Sequence, residues 1–162
     1  MESSHKVQRA LGLLQEAYRE QMEGDYARAA ELYHASIKQH PTAEAHTYLG
    51  WTYGSEERYE EAIRECRKAI HVDPEFGNPY NDIGSYLIQM GKLKEAIPWL
   101  EQAKSAPRYQ PRHFPYLNLA RVYMAQGKTE EALRQMEQAR FIESGLEENE
   151  PDGPERDVQT LH

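Results

Sequence analysis

Apolar and small residues recur along the chain at helical spacing, in segments separated by short polar breaks. Tyr80, Ile83, Gly84 and Leu87 lie at i, i+3, i+4 and i+7, the spacing that places side chains on one face of an α-helix. Each such segment is followed, after a break, by a second one with the spacing Ala-x-x-x-large-x-x-Ala. The pattern therefore predicts pairs of amphipathic helices and gives no signal for strands.

The second segments share an alanine that recurs at nearly constant intervals. Ala29, Ala62, Ala96 and Ala132 are 33, 34 and 36 residues apart, and each sits in the same local frame. The two helices of each pair are called A and B in chain order. The A-to-B turn between them contains glycine in three of the four copies, at residues 24, 91 and 127, whereas the second copy has Glu57 there. Glycine suits such a turn because it adopts positive φ without steric cost.

This period and pattern resemble the tetratricopeptide repeat, a helix–turn–helix unit of about 34 residues. The resemblance implies an all-α fold, a right-handed α-solenoid of about four repeats with eight helices. We expect the solenoid over residues 1–144. The repeats are expected at about 10–42, 43–76, 77–110 and 113–144.

The end of the chain differs in composition from the repeats. Residues 143–162 carry a net charge of −6 out of −8 for the whole chain, from seven acidic residues and Arg156. Gly145 is expected to end the last helix, and residues 145–162 are predicted to form an acidic disordered tail because they offer little apolar surface to bury. Without a polar capping helix, the outer face of the last helix, with Leu133, Met136 and Phe141, would need cover from elsewhere.

Charge and hydropathy limit the classes of partner. Without the tail the repeats have a net charge of only −2, so neither the repeats nor the tail offers the positive field that nucleic acid requires. The mean hydropathy is −0.90, no apolar run approaches the roughly 18–20 residues of a membrane span, and residues 1–9 lack the apolar region of a secretory signal. A single cysteine fits a reducing compartment. We therefore expect a cytoplasmic protein without nucleic-acid or membrane partners.

No catalytic constellation is evident. The sequence has no Gly-rich phosphate loop, no Gly-x-Ser-x-Gly, no His-Glu-x-x-His and no paired-cysteine spacing, and its seven histidines are scattered. Cys66 occupies a helix packing position, where a buried inert thiol is favoured over a nucleophile. We therefore predict that the protein is not an enzyme and that it binds neither a cofactor nor a metal.

The resemblance further implies that the first helix of each repeat lines a concave groove that binds a peptide or helix of a partner protein. The predicted groove residues are Leu14, Tyr18, Thr47, Trp51, Asn78, Asn81, Ser85, Leu117, Asn118 and Arg121. Asparagines pair with peptide backbone and arginine with a carboxylate. For Tyr18 and Trp51 the alternative is that they only fill space between helices. Some family members grip a C-terminal carboxylate with basic residues, but Asp82 and its neighbours at those positions supply no positive charge.

Two further questions stay open on sequence alone. The segment 105–115 holds three prolines and about two extra residues, so it is either a stiff connector or a binding loop with Arg108, Tyr109, Arg112 and His113. For function, an adaptor that binds a partner protein is favoured. The alternatives are a self-assembling unit, a homo-oligomer packed through its uncapped last helix, and a small chaperone for a secreted or assembly partner.

Overall fold

The computed structural model describes residues 2–149, which form eight α-helices. Over that range no strand occurs; the one β-type contact is an isolated bridge between Phe76 and Arg108. The chain divides into two compact units, Met1–Pro74 and Glu75–His162, each containing two helix–turn–helix repeats. The predicted all-α repeat fold is confirmed.

The first unit consists of α1 (Glu2–Met22), α2 (Tyr26–Gln39), α3 (Ala43–Ser55) and α4 (Tyr59–Val72). Two of these helices begin at residues whose side chains cap the free amides of the first turn. The Asp25 carboxylate accepts a hydrogen bond from the Arg28 amide at 3.1 Å, and the Thr42 hydroxyl oxygen accepts one from the Ala45 amide at 3.1 Å. Helices α1 and α2 pack together, as do α3 and α4, and α3 also packs on α2.

The second unit consists of α5 (Asn78–Gln89), α6 (Leu93–Ser105), α7 (Phe114–Ala125) and α8 (Thr129–Asn149). Pro79 and Pro115 lie in the first turns of α5 and α7, where a missing amide hydrogen leaves no bond unmade. Helix α6 continues through Pro98 without a break. Within the unit α5 packs on α6, α7 on α8, and α7 on both α5 and α6.

Small residues lie where the two helices of a repeat approach each other closely. The four repeat alanines are all fully buried. In the first unit, a methyl group added at Gly50 of α3 would lie 3.0 Å from the Ala62 carbonyl oxygen of α4. In the second unit, a methyl group at Gly84 of α5 would lie 2.6 Å from Cγ of Leu100 in α6. Larger side chains at these positions would force the paired helices to separate.

All four A-to-B turns use a residue in the left-handed region. Gly24, Gly91 and Gly127 have φ values of 86°, 77° and 75°, and Glu57 has a φ of 60° at the equivalent place. A residue with a Cβ adopts this conformation at a cost of about 1 kcal/mol or more. The turn geometry is therefore common to the repeats, and the second repeat maintains it without glycine.

The end of the last helix differs from the prediction. Helix α8 does not stop at Gly145 but continues to Asn149, which makes it 21 residues long against 13 or 14 for α4 and α6. The φ of Gly145 lies outside the left-handed region, so the backbone continues the helix through this residue. Residues 145–149 thus belong to a helix and not to the predicted tail. The remainder of that tail, residues 150–162, lies outside the described residues.

Candidate protein-interaction surface

The predicted groove residues of the first unit mostly belong to its core. Leu14 and Trp51 are half-buried and pack against the cluster formed by Tyr33, Tyr48 and Leu49. The ring of Tyr18 lies 5.9 Å from that of Tyr48, centroid to centroid. These contacts favour the space-filling alternative for both aromatic residues, although each keeps part of its surface exposed.

Thr47 does not lie on an accessible surface. Its side chain is fully buried, and its hydroxyl donates a hydrogen bond to the Ala43 carbonyl oxygen at 2.7 Å, one turn earlier in α3. A β-branched hydroxyl commonly bonds to the preceding turn in this way. Thr47 therefore cannot contact a ligand on the surface, contrary to the prediction.

A hydrogen-bonded network in the first unit centres on the buried Glu65 carboxylate. Glu65 of α4 accepts hydrogen bonds from His46 Nδ1 at 2.8 Å and from Lys68 Nζ at 3.0 Å. Burial alone would raise the pKa of the Glu65 carboxyl, but the two hydrogen bonds and the charge of Lys68 outweigh it and lower the pKa. The network joins α3 to α4 through the buried His46 and Glu65, whereas Lys68 is exposed, so its role is structural.

In the second unit the structure brings three predicted residues together. Arg121 Nη1 donates a hydrogen bond to Oδ1 of Asn118 at 3.0 Å, and Nδ2 of Asn118 donates to Oδ1 of Asn81 at 2.9 Å. Asn81 is buried, Asn118 is half-buried and Arg121 is exposed. The chain of amides therefore runs from the interior of the unit to its surface and holds the guanidinium in place.

The other polar predictions have different positions. Asn78 is buried, and its Nδ2 donates a long bond of 3.5 Å to the Gln110 carbonyl oxygen. Ser85 is half-buried. Asp82 is almost fully buried, and burial raises the pKa of its carboxyl to about 7. Asn78 and Asn81 therefore hold the unit together and do not present free amides to a ligand, contrary to the prediction.

The proline-rich segment 105–115 is pinned to the start of α5. The Gly77 amide donates to the Arg108 carbonyl oxygen at 2.9 Å, and the Arg108 amide donates to the Glu75 carbonyl oxygen at 3.1 Å. Tyr109 is buried and packs closely on Gly77: a Cβ atom added to Gly77 would lie 2.5 Å from Cβ of Tyr109. Arg112 Nη2 donates to the Pro107 carbonyl oxygen at 2.8 Å. These contacts favour the connector over the binding loop.

An open apolar groove lies on the surface of the second unit, beside Arg121. It has a volume of about 560 Å³. Three helices line it: α5 with Ile88, α7 with Leu117, Ala120, Arg121, Met124 and Ala125, and α8 with Met136. Leu117 and Met124 are 40% and 55% exposed, which is high for large apolar side chains. Apolar concave surface with one fixed charge is suited to binding another polypeptide.

Sequence reasoning found only part of this groove. Leu117 and Arg121 were predicted, and Met136 was assigned to an uncovered face, whereas Ile88 and Met124 were missed. Met124 lies seven residues after Leu117, so the helical period could have identified it. Ile88 could not have been found, because its approach depends on how α5 and α7 pack.

The fold and these surfaces define a helix–turn–helix repeat protein, and comparison with known families agrees. Sequence profiles of the Tetratricopeptide repeat match residues 14–80, 78–108 and 116–140. The chain belongs to the tetratricopeptide repeat family. A search of curated protein sequences finds no match.

Three solved structures illustrate the likeness in fold. Pseudomonas aeruginosa PilF superposes with a TM-score of 0.80 at 21% identity, over 86% of this chain and 64% of the PilF chain. MamA gives 0.73 at 21% identity, over 86% and 81%. The first repeat domain of Spaghetti (RPAP3), bound to the HSP90 peptide SRMEEVD, gives 0.68 at 19% identity, over 75% and 95%. At these identities the likeness shows the fold, and a general role in protein interaction follows from the family.

Among residues 2–149, no three His, Cys, Asp or Glu side chains come together in a way that could hold a metal ion. None of the described helices is both long and apolar enough to cross a membrane.

Proposed function

We propose that this protein is a non-catalytic adaptor that binds an extended segment or a helix of a partner protein. The observation that carries the proposal is the apolar groove of the second unit, with Leu117 and Met124 exposed and Arg121 held at its edge. Its fixed guanidinium favours a partner segment that has apolar residues and a carboxylate. Cys66, the single cysteine of the sequence, is buried, which is compatible with a reducing compartment such as the cytoplasm.

The family resemblance supports the kind of partner but not its identity. RPAP3 carries a peptide with an acidic C-terminal end. In this chain, the residues at the positions of the carboxylate grip include Tyr18, Tyr48, Asp82 and Phe114, none of which is basic. We therefore expect SRMEEVD not to bind, which makes it a useful negative probe.

A display experiment with random peptides on the purified protein tests the proposal. Selected peptides are measured by fluorescence anisotropy against the wild type and against a groove variant with Leu117→Ser and Arg121→Ala. We expect peptides that combine apolar and acidic residues, and a loss of affinity of about tenfold or more in the variant, because it removes both an anchor and a charge partner.

The matched control changes the same residue classes elsewhere on the surface. Val72→Ser with Arg64→Ala alters an exposed apolar residue and an exposed arginine of the first unit and should leave affinity unchanged. Trp51→Ala tests the first unit in the same assay. If the groove variant binds as tightly as the wild type while Trp51→Ala does not, the binding surface lies on the first unit and the proposed groove is wrong.

A further inference from the structure

The last helix has an exposed stripe that matches the groove of its own unit in chemistry. Leu133, Glu137 and Phe141 recur at i, i+4 and i+8 on α8, which places them along one side of the helix. Leu133 is 56% exposed and Phe141 is 80% exposed, the most exposed large apolar side chain described in the molecule. Glu137 is also exposed and lies between them.

The groove repeats this order with the opposite charge. Along α7, Leu117 and Met124 are exposed apolar residues that line the groove, and Arg121 lies between them, four residues after Leu117 and three before Met124. The stripe therefore carries an acidic residue between two apolar residues, and the groove carries a basic residue between two apolar residues. Both surfaces belong to the second unit, and Met136 of α8 lines the groove close to the stripe.

Two copies of the same chain satisfy both surfaces at once. In a two-fold symmetric dimer, residue i of one copy contacts residue j of the other, and j contacts i in return. We propose that the protein forms such a dimer, in which the Leu133–Phe141 stripe of each copy lies in the Arg121 groove of its partner. Two Arg121–Glu137 ion pairs then form, and Phe141 becomes an apolar anchor of the interface. This inference does not depend on the proposed function, since it needs no other protein.

Sedimentation velocity of the purified full chain, from low micromolar to several hundred micromolar, tests the dimer without any peptide. The expected result is an equilibrium between the 18.8 kDa monomer and a species of twice that mass. Arg121→Glu and Glu137→Arg should each weaken association by about tenfold or more, because each places like charges opposite one another. The double variant restores opposite charges and should regain most of the wild-type affinity.

Matched controls use the same chemistry on other faces. Glu131→Arg reverses an exposed charge of α8 on another side of the helix and should leave association unchanged. Phe141→Ser should weaken association by about tenfold or more, whereas Val72→Ser should not, although Val72 is also exposed. Circular dichroism of every variant establishes that the helices are intact.

Several results would overturn the inference. A chain that stays monomeric at all concentrations shows that a second copy does not occupy the groove, and dimerisation that appears only after removal of residues 150–162 would assign the groove to that segment instead. Growth beyond a dimer would indicate head-to-tail contacts, which do not close. Association that is insensitive to Arg121→Glu and Glu137→Arg would place the interface elsewhere.

Discussion

Substituting alanine for Gly84 tests how closely the paired helices approach. Gly84 lies inside α5, where alanine is the better helix former, so propensity alone predicts a gain of about 1 kcal/mol. The added methyl group would nevertheless lie 2.6 Å from Cγ of Leu100, whose side chain is fully buried in α6. Leu100 therefore has no solvent-facing position into which it could move.

The two effects have opposite signs, and the structure decides between them. Overpacking of a well-packed core costs about 1–3 kcal/mol, and the close contact at Gly84 places it in the upper half of that range. After the propensity gain, we expect Gly84→Ala to lower the free energy of unfolding by about 1–2 kcal/mol. Gly12 of α1 is the internal control, because an added methyl group meets no atom within 4 Å. Gly12→Ala should therefore raise stability by about 1 kcal/mol.

Urea unfolding followed by far-UV circular dichroism measures both variants against the wild type. A shift of the midpoint at an unchanged slope reports stability, whereas a changed slope would indicate altered compactness. The reasoning fails if Gly84→Ala stabilises the protein as much as Gly12→Ala does, since α5 and α6 would then have room for the methyl group.

Two buried carboxyl groups give opposite dependences on pH. Burial raises the pKa of Asp82 from 3.8 to about 7, so the free energy of unfolding should fall as pH rises through that window. Asp82→Asn should abolish this slope and stabilise the protein above pH 7. Equal slopes in the wild type and the variant would contradict the reasoning. The pKa of Glu65 is lowered below 4.5, so the stability it provides is present above that pH and lost as pH falls through the lowered value. Glu65→Gln should lower the free energy of unfolding by about 1–3 kcal/mol at neutral pH and reduce its dependence on pH in the acid range, as measured by thermal unfolding. An unchanged pH dependence in the acid range would show that the His46 and Lys68 contacts contribute nothing.

Repetition is what made the fold predictable from sequence. The alanine period fixed the register of every helix pair, and the turn glycines and first-turn prolines agreed with it independently. The local signal was misleading at Gly145, where a glycine expected to end the helix continues it. A glycine ends a helix only if the backbone turns into the left-handed region there, and the sequence does not encode that choice locally.

The interaction surface was less predictable because its contacts join residues far apart in the chain. Asn81 and Asn118 are 37 residues apart, and the bond between them depends on the packing of α5 against α7. Burial of Thr47 and the hydrogen bond of His46 to Glu65 likewise depend on which neighbour covers a given face of a helix. Family positions identify which side chains point to the groove side, but only packing determines which of them remain accessible.

Arg121 shows why that distinction matters for recognition. An exposed arginine normally loses side-chain freedom when it binds, and this loss offsets much of the gain from an ion pair. Here Asn118 already holds one end of the guanidinium, and Asn118 is itself held by the buried Asn81. Part of the ordering cost has therefore been met within the folded unit before anything binds. A carboxylate that reaches this edge of the groove gains a fixed donor beside apolar surface, whether it comes from a partner protein or from Glu137 of a second copy.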